Sequence, residues 1–176
     1  MEKINQNKLI NLFKSPKFKK IMIALGVIFY ISAFIIAFNP KPFLKLGYLG
    51  VFVFSLFGPG MILVPVLVGK LNIFILAFVI ALGMACNDSV SWLVGRSGDI
   101  IVKRTKKIER LEKTINKFGS WALFFWSLIP FPYDLVGLIA GYLELSYRRF
   151  IIPTFFGKFI RFILLGLGIV KYFSKM

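Results

Sequence analysis

The sequence predicts an all-α integral membrane protein with about three full transmembrane helices, two opposed re-entrant helical hairpins and a cytoplasmic amphipathic helix. Three observations predict it. Of the 176 residues, 58% are hydrophobic and 17% aromatic, and the mean hydropathy is +0.80, well above a soluble domain. Two of the apolar runs are cut in the middle by proline and glycine, so neither can cross a bilayer as one unbroken helix. The 23 Lys and Arg against 7 Asp and Glu, a formal charge of +16, cluster beside the apolar runs, the pattern of membrane-flanking charge and anionic-lipid contact. That placement argues against nucleic acid as the partner of the basic surface. With no His and a lone Cys86 in an apolar run, there is no imidazole chemistry, no disulfide framework and no expected metal site or cofactor.

Residues 1–20 form a basic leader with six lysines and one acid, expected to lie in the cytoplasm. Ile21 to Phe38 is free of charge and close to the roughly 20 residues a span needs. The long leader and the bulky ending Phe34-Ile35-Ile36-Ala37-Phe38 do not suit cleavage, so this is expected to be a retained signal-anchor, stopped by Asn39-Pro40. Residues 21–176 then make a single membrane domain with a core over 43–170.

Phe43 to Val68 is the first broken run. Gly58, Pro59 and Gly60 cut it, and Pro65 cuts it again. Counted from Leu46, its halves would rise only about 18 and 12 Å as helix, short of a hydrocarbon core of about 30 Å. Leu71 to Val94 is long enough to span, carries Asn87 and Asp88 near its end, and closes on Gly95-Arg96-Ser97-Gly98 in ordinary C-terminal punctuation. From 99 to 118, Ile108, Leu111, Ile115 and Phe118 recur at helical spacing among Lys106, Lys107, Arg110, Lys113 and Lys117. This basic amphipathic helix is suited to an anionic membrane face, or else serves as a solvated connector. Ser120 to about Ser146 is the second broken run, interrupted by Ile129-Pro130-Phe131-Pro132-Tyr133-Asp134. The last span, Phe150 to Val170, holds Pro153, Gly157, Lys158 and Arg161.

Loop charge bears on whether the broken runs cross. If both return to the side they entered from, 16 bases lie with the N-terminus and five on the other side. A single crossing by the first run would move the loop with eight bases outward, against the positive-inside bias. Two hairpins from opposite faces would meet near the midplane, as in transporters built on discontinuous elements. The expected location is the cell membrane of a prokaryote, with the N-terminus in the cytoplasm.

Ionisable groups inside apolar segments are expensive and mark candidate sites. Asp88, Asp134, Arg161, Asn87 and Lys158 are the candidates for a transport path or buried charge. Arg161, about 16 Å along the last helix, is expected to pair with Asp134 or Asp88. Lys158, shallower, is expected to snorkel toward the interface. Pro130, Pro132, Gly137 and Gly141 shape the second hairpin, Gly58, Pro59, Gly60 and Pro65 the first, and Gly157 admits a neighbouring helix. Arg96, Arg148 and Arg149 are candidates for headgroup contact. An enzyme is not expected, since no phosphate loop, nucleophile elbow or ligand cluster is present.

The ending Trp92-Leu93-Val94-Gly95-Arg96-Ser97-Gly98, the stretch Ile129-Pro130-Phe131-Pro132-Tyr133-Asp134, Ala140-Gly141, Phe150 and Gly157-Lys158-Phe159-Ile160-Arg161 together resemble the DedA membrane proteins. These share the SNARE-associated Golgi, or VTT, domain, and the resemblance covers roughly 58–168. It implies two opposed re-entrant hairpins and a role in moving phospholipid or polyprenyl-phosphate lipid between leaflets, scramblase-like in some members and proton-coupled in others. Its partners would be membrane lipids with anionic headgroups, with self-association open. Two positions depart from the family: Phe57 to Pro65 contains no acid, and Asp134 stands where many members have arginine. The alternatives to lipid transport are a proton- or ion-coupled small-solute transporter and a non-transporting membrane scaffold.

Overall fold

The computed structural model describes residues 31, 35, 39–57, 59–97, 105–130 and 132–173. The expected leader, most of the expected anchor, Gly58, Gly98 and Phe131 lie outside the described residues. The chain divides into residues 1–39 and 40–176. In the first unit, Ile31 and Ile35 are helical and exposed.

Every named element among the described residues of the second unit is a helix. Helix α1 runs Pro40–Ser55, a 3-10 turn Pro59–Ile62, α2 Leu63–Leu67, α3 Ile73–Arg96, α4 Lys106–Phe118, α5 Ser120–Leu128, α6 Tyr133–Tyr142 and α7 Tyr147–Phe173. Both expected breaks are present. The first falls at residues 56–62, and Pro65 is carried inside the short α2. The second falls between Leu128 and Tyr133, where Ile129 is extended (φ −88°, ψ 143°) as the residue before a proline prefers. A further break precedes the first: Gly47 sits at φ 59° inside α1, a conformation that only glycine adopts freely.

Two of these helices, α3 and α7, are long and apolar enough to cross a membrane. Each is apolar on its outer as well as its inner face. Phe74, Phe78, Leu82, Val90 and Leu93 are exposed on α3, and Ile152, Phe156, Leu164 and Val170 on α7, as lipid-facing helices require. The two run antiparallel. Ile73 lies against Gly166, the Phe78 ring meets those of Phe155 and Phe159 edge-on, and Trp92 stacks on Phe150.

The broken runs pack beside these spans so that each starts and ends at the same end of the bundle. In the first, the Tyr48 hydroxyl accepts from the backbone N–H of Asn72 at 3.1 Å, while Ser55 and the Phe52 carbonyl lie against Gly83. Helix α1 therefore runs parallel to α3, and the 3-10 turn and α2 return. In the second, Ser120 and Trp121 share a groove with Arg148 and Arg149, and Phe124 and Ser127 lie against Gly157. Helix α5 is thus parallel to α7 and packs on it, while α6 returns against α3. This second run opens at the Arg96 end, where the Trp92 indole N–H and the Arg96 guanidinium both donate to the Leu145 carbonyl.

Helix α4 corrects one expectation. Its apolar stripe does not face lipid: Ile108, Leu111 and Ile115 are buried in a core with Leu123, Val136 and Ile139. Phe118 alone of the four is exposed. Thr105 caps the helix by accepting from Ile108 N–H, and Lys106, Arg110, Lys113 and Lys117 remain on the outer side. The helix is a basic cover docked on α5 and α6.

Helices α3 and α6 approach most closely through glycine. A Cβ on Gly95 would strike the Leu138 carbonyl, one on Gly141 the Trp92 carbonyl, and one on Gly137 would come within 3.2 Å of the Asp88 carbonyl. At Gly95 and Gly141 the obstacles are all backbone, so nothing can swing aside. Gly141→Ala should therefore lower the thermal midpoint of the detergent-solubilised protein, at an overpacking cost of about 1–3 kcal/mol. Gly168→Ala, which meets open space, should leave it unchanged or slightly raised.

Candidate functional site

A buried charge on an apolar helix needs a partner of opposite sign. Here Lys158 Nζ on α7 lies 2.6 Å from Asp88 Oδ2 on α3, with the two side chains only 3% and 5% exposed. Among the described residues, that oxygen has no hydrogen-bond partner beyond the ammonium. Lys158 does not snorkel. Gly157 beside it is pressed against α5, which fixes the rotation of α7 and turns Lys158 inward.

The ammonium also sits 4.9 Å from the centre of the Tyr133 ring, a cation–π contact that adds to the pair where water is excluded. Tyr133 starts α6 just after the second break. Its hydroxyl donates to the Leu123 carbonyl at 3.1 Å and lies 2.7 Å from Thr154 Oγ1, which in turn lies 2.7 Å from the Phe150 carbonyl. Two hydroxyl protons thus serve three contacts. The cluster ties α3, α5, α6 and α7 together, with the Leu123 carbonyl supplied before the second break and Tyr133 just after it.

Arg161 does not make the ion pair expected of it. Its Nη1 donates to the Ile129 carbonyl at 3.2 Å, and its Nη2 meets the Met61 sulfur. Ile129 lies in the second break and Met61 in the first. One planar guanidinium therefore spans both interruptions, using its fork of donors to take up a carbonyl that the prolines have released from helix bonding. Its carbon also lies 5.4 Å from the Phe162 ring centre.

The other candidates are spread along the bundle. Asp134 stands in the first turn of α6, where the helix dipole favours an acid, and accepts from Ser91 Oγ at 3.1 Å. Asn87 is half-buried beside Asp88 on α3. Arg96 covers the Trp92 ring at 5.2 Å, and Arg148 and Arg149 are exposed at the start of α7. Pro130 and Pro132 sit in the second break, Pro59 and Gly60 in the first. A Cβ on Gly60 would strike Ser55 Oγ, so that turn also depends on a missing side chain. Among the described residues no group of three or more His, Cys, Asp or Glu is gathered as a metal site would need.

Sequence reasoning assigned no role in the site to Tyr133, Thr154, Ser91, Ser127 or Met61. The available signal was a scatter of hydroxyls in apolar helices, each of which has to find a partner in a dry interior.

The family model of the VTT domain matches residues 58–170, from the first break to near the end of α7. The chain belongs to the VTT domain family. This is the DedA and SNARE-associated Golgi protein domain, and with the two long apolar helices it makes the chain a membrane protein. The ion pair, the Arg161 bridge and the glycine contacts of α6 all lie within the VTT domain. No curated protein and no solved structure matches the chain.

Two outcomes follow for the VTT domain. Asp88→Leu and Lys158→Met each strand one buried charge and should each cost about 3–5 kcal/mol, while the double variant should cost far less than their sum. Unfolding in detergent measures the cycle, and additive losses would refute the coupling. Arg161→Lys keeps the charge but loses the fork. It should speed backbone hydrogen exchange in both breaks together, at residues 56–62 and 129–135, and acceleration at one break alone would count against a shared clamp.

Proposed function

We propose that this VTT-domain protein moves lipids between leaflets, as a transporter or scramblase for phospholipid or polyprenyl-phosphate lipid. Two helix–break–helix runs enter from opposite leaflets, return, and bring their interruptions together at mid-depth. The observation that carries this reading is the Arg161 bridge between Ile129 in one break and Met61 in the other. Irregular backbone survives at depth only where protein or water shields it, and a thinned, polar meeting point is what a headgroup needs in order to pass. The buried Lys158–Asp88 pair next to it, with Asn87 and Asp134 further along, supplies charge on that route.

The α4 and Arg148–Arg149 side is the cytoplasmic side in this reading, because its loops carry more bases than those at the other end of the bundle and the bias of cytoplasmic loops is positive. In the same reading the N-terminus lies in the cytoplasm and the protein in the cell membrane of a prokaryote. Arg96, Arg148 and Arg149 then meet anionic headgroups on arrival.

The buried ion pair also supports a second reading, an ion- or proton-coupled transporter, since paired charges inside a bundle recur in proton relays. Reconstitution in liposomes separates the two. On the lipid reading, labelled phospholipid becomes accessible from the opposite leaflet faster than in protein-free vesicles, and the Asp88→Leu/Lys158→Met double variant slows it. Unchanged lipid movement across several headgroups, with dye-reported flux of protons or ions, would overturn the lipid reading in favour of the second. If neither moves and Asp134→Asn leaves cellular function intact, the protein is a scaffold.

A further inference from the structure

The groove between α5 and α7 has a construction that the buried charges do not explain. Its volume is about 550 Å³, within the range of small-molecule sites. Trp121, Phe124, Ile152, Pro153, Phe156 and Ile160 wall it, and Ser120, Arg148 and Arg149 close one end. Neither member of the Lys158–Asp88 pair lines it.

Everything positive is gathered at that one end. Because α5 and α7 run parallel, their N-termini open side by side at Ser120 and Tyr147, and neither has an acid in its first turn. Helix N-termini carry partial positive charge and unpaired N–H groups. Two arginines at a helix start therefore work against the dipole, and among the described residues neither Arg148 nor Arg149 makes an ion pair. Each feature alone would be ordinary, but two helix starts and two unpaired guanidinia around one mouth suit a phosphate, which Arg binds through two parallel bonds.

The rest of the groove suits an acyl chain. At 1.5 Å per residue, Phe156 and Ile160 lie about 12 and 18 Å along α7 from Arg148. Both are exposed, so the walls run down into hydrocarbon from a mouth at headgroup level. A water-soluble anion would use the mouth and leave the walls empty.

We propose that this groove is a seat for an anionic glycerophospholipid, its phosphate held by Arg148 and Arg149 and one acyl chain laid along Trp121, Phe124, Phe156 and Ile160. The seat deepens the reading of Arg148 and Arg149 as headgroup contacts, and, lying on the outside of the bundle, it would hold lipid whether or not lipid is transported.

The full-length protein in nanodiscs tests it through Trp121, whose indole is 68% exposed in the wall and is quenched by a brominated acyl chain in contact with it. Brominated phosphatidylglycerol, diluted into unlabelled phosphatidylcholine, should quench more strongly than brominated phosphatidylcholine at equal mole fraction. The preference expected from two arginines is on the order of tenfold in binding. Trp121→Phe should remove the preferential quenching, and Arg148→Gln/Arg149→Gln should abolish the preference. Arg110→Gln, on the outer side of α4, should keep it. Equal quenching by the two lipids would overturn the seat, as would a preference that survives the double variant. A loss in Arg110→Gln as large as in the double variant would replace the seat with a diffuse surface field. Lipid-movement assays on the same double variant report separately on transport, so the two proposals can fail independently.

Discussion

Backbone that leaves the helix inside an apolar environment has to find hydrogen-bond partners from elsewhere in the protein, and the bundle is arranged around that requirement. Prolines at 130 and 132 end α5 and release the Ile129 carbonyl; the turn before α2 loosens the chain at Met61. Arg161 meets both from a single helix. The side chain is half-buried, so its charge is not sealed in dry protein as that of Lys158 is. A carbonyl oxygen and a polarizable sulfur do what a carboxylate was expected to do, and Arg161 serves backbone structure before it serves charge.

Lys158 and Asp88 hold the two long helices in register three residues away from that bridge. The pair closes a chain of dependencies: Gly157 lets α5 approach, the approach sets the rotation of α7, and the rotation delivers Lys158 to α3 rather than to lipid. Tyr133 then covers the ammonium with its ring while its hydroxyl is occupied on the far side by Leu123 and Thr154. A buried pair of this kind contributes less to net stability than its Coulomb energy suggests. Its effect is to exclude other helix rotations, since each of them would bury a charge alone.

Much of this was legible in the residues. Proline and glycine at 58–60 and 130–132 marked both breaks, and unbroken apolar length marked α3 and α7, because chain chemistry at those places permits few conformations. The choice between Lys158 and Arg161 as partner of Asp88 was not legible. Residues three apart lie on nearly the same helix face, so only the packing of Gly157 against Ser127 decides which one points across. The same limit applies to α4. A stripe of Ile108, Leu111 and Ile115 reads identically whether lipid or protein covers it, and here α5 and α6 cover it. The role of Tyr133 was not legible because it comes from Thr154 and Leu123, which no local pattern connects to it.

At Gly95 and Gly141 the touching surfaces between α3 and α6 are peptide planes. Surfaces of that kind interlock like gear teeth, and sliding by even a fraction of a turn would drive backbone into backbone. Helix α6 therefore travels with α3 as one rigid body. The first broken run meets α3 in the same way at Gly83, where the Phe52 carbonyl bears on the glycine, and the conformational freedom left to that run lies at Gly47.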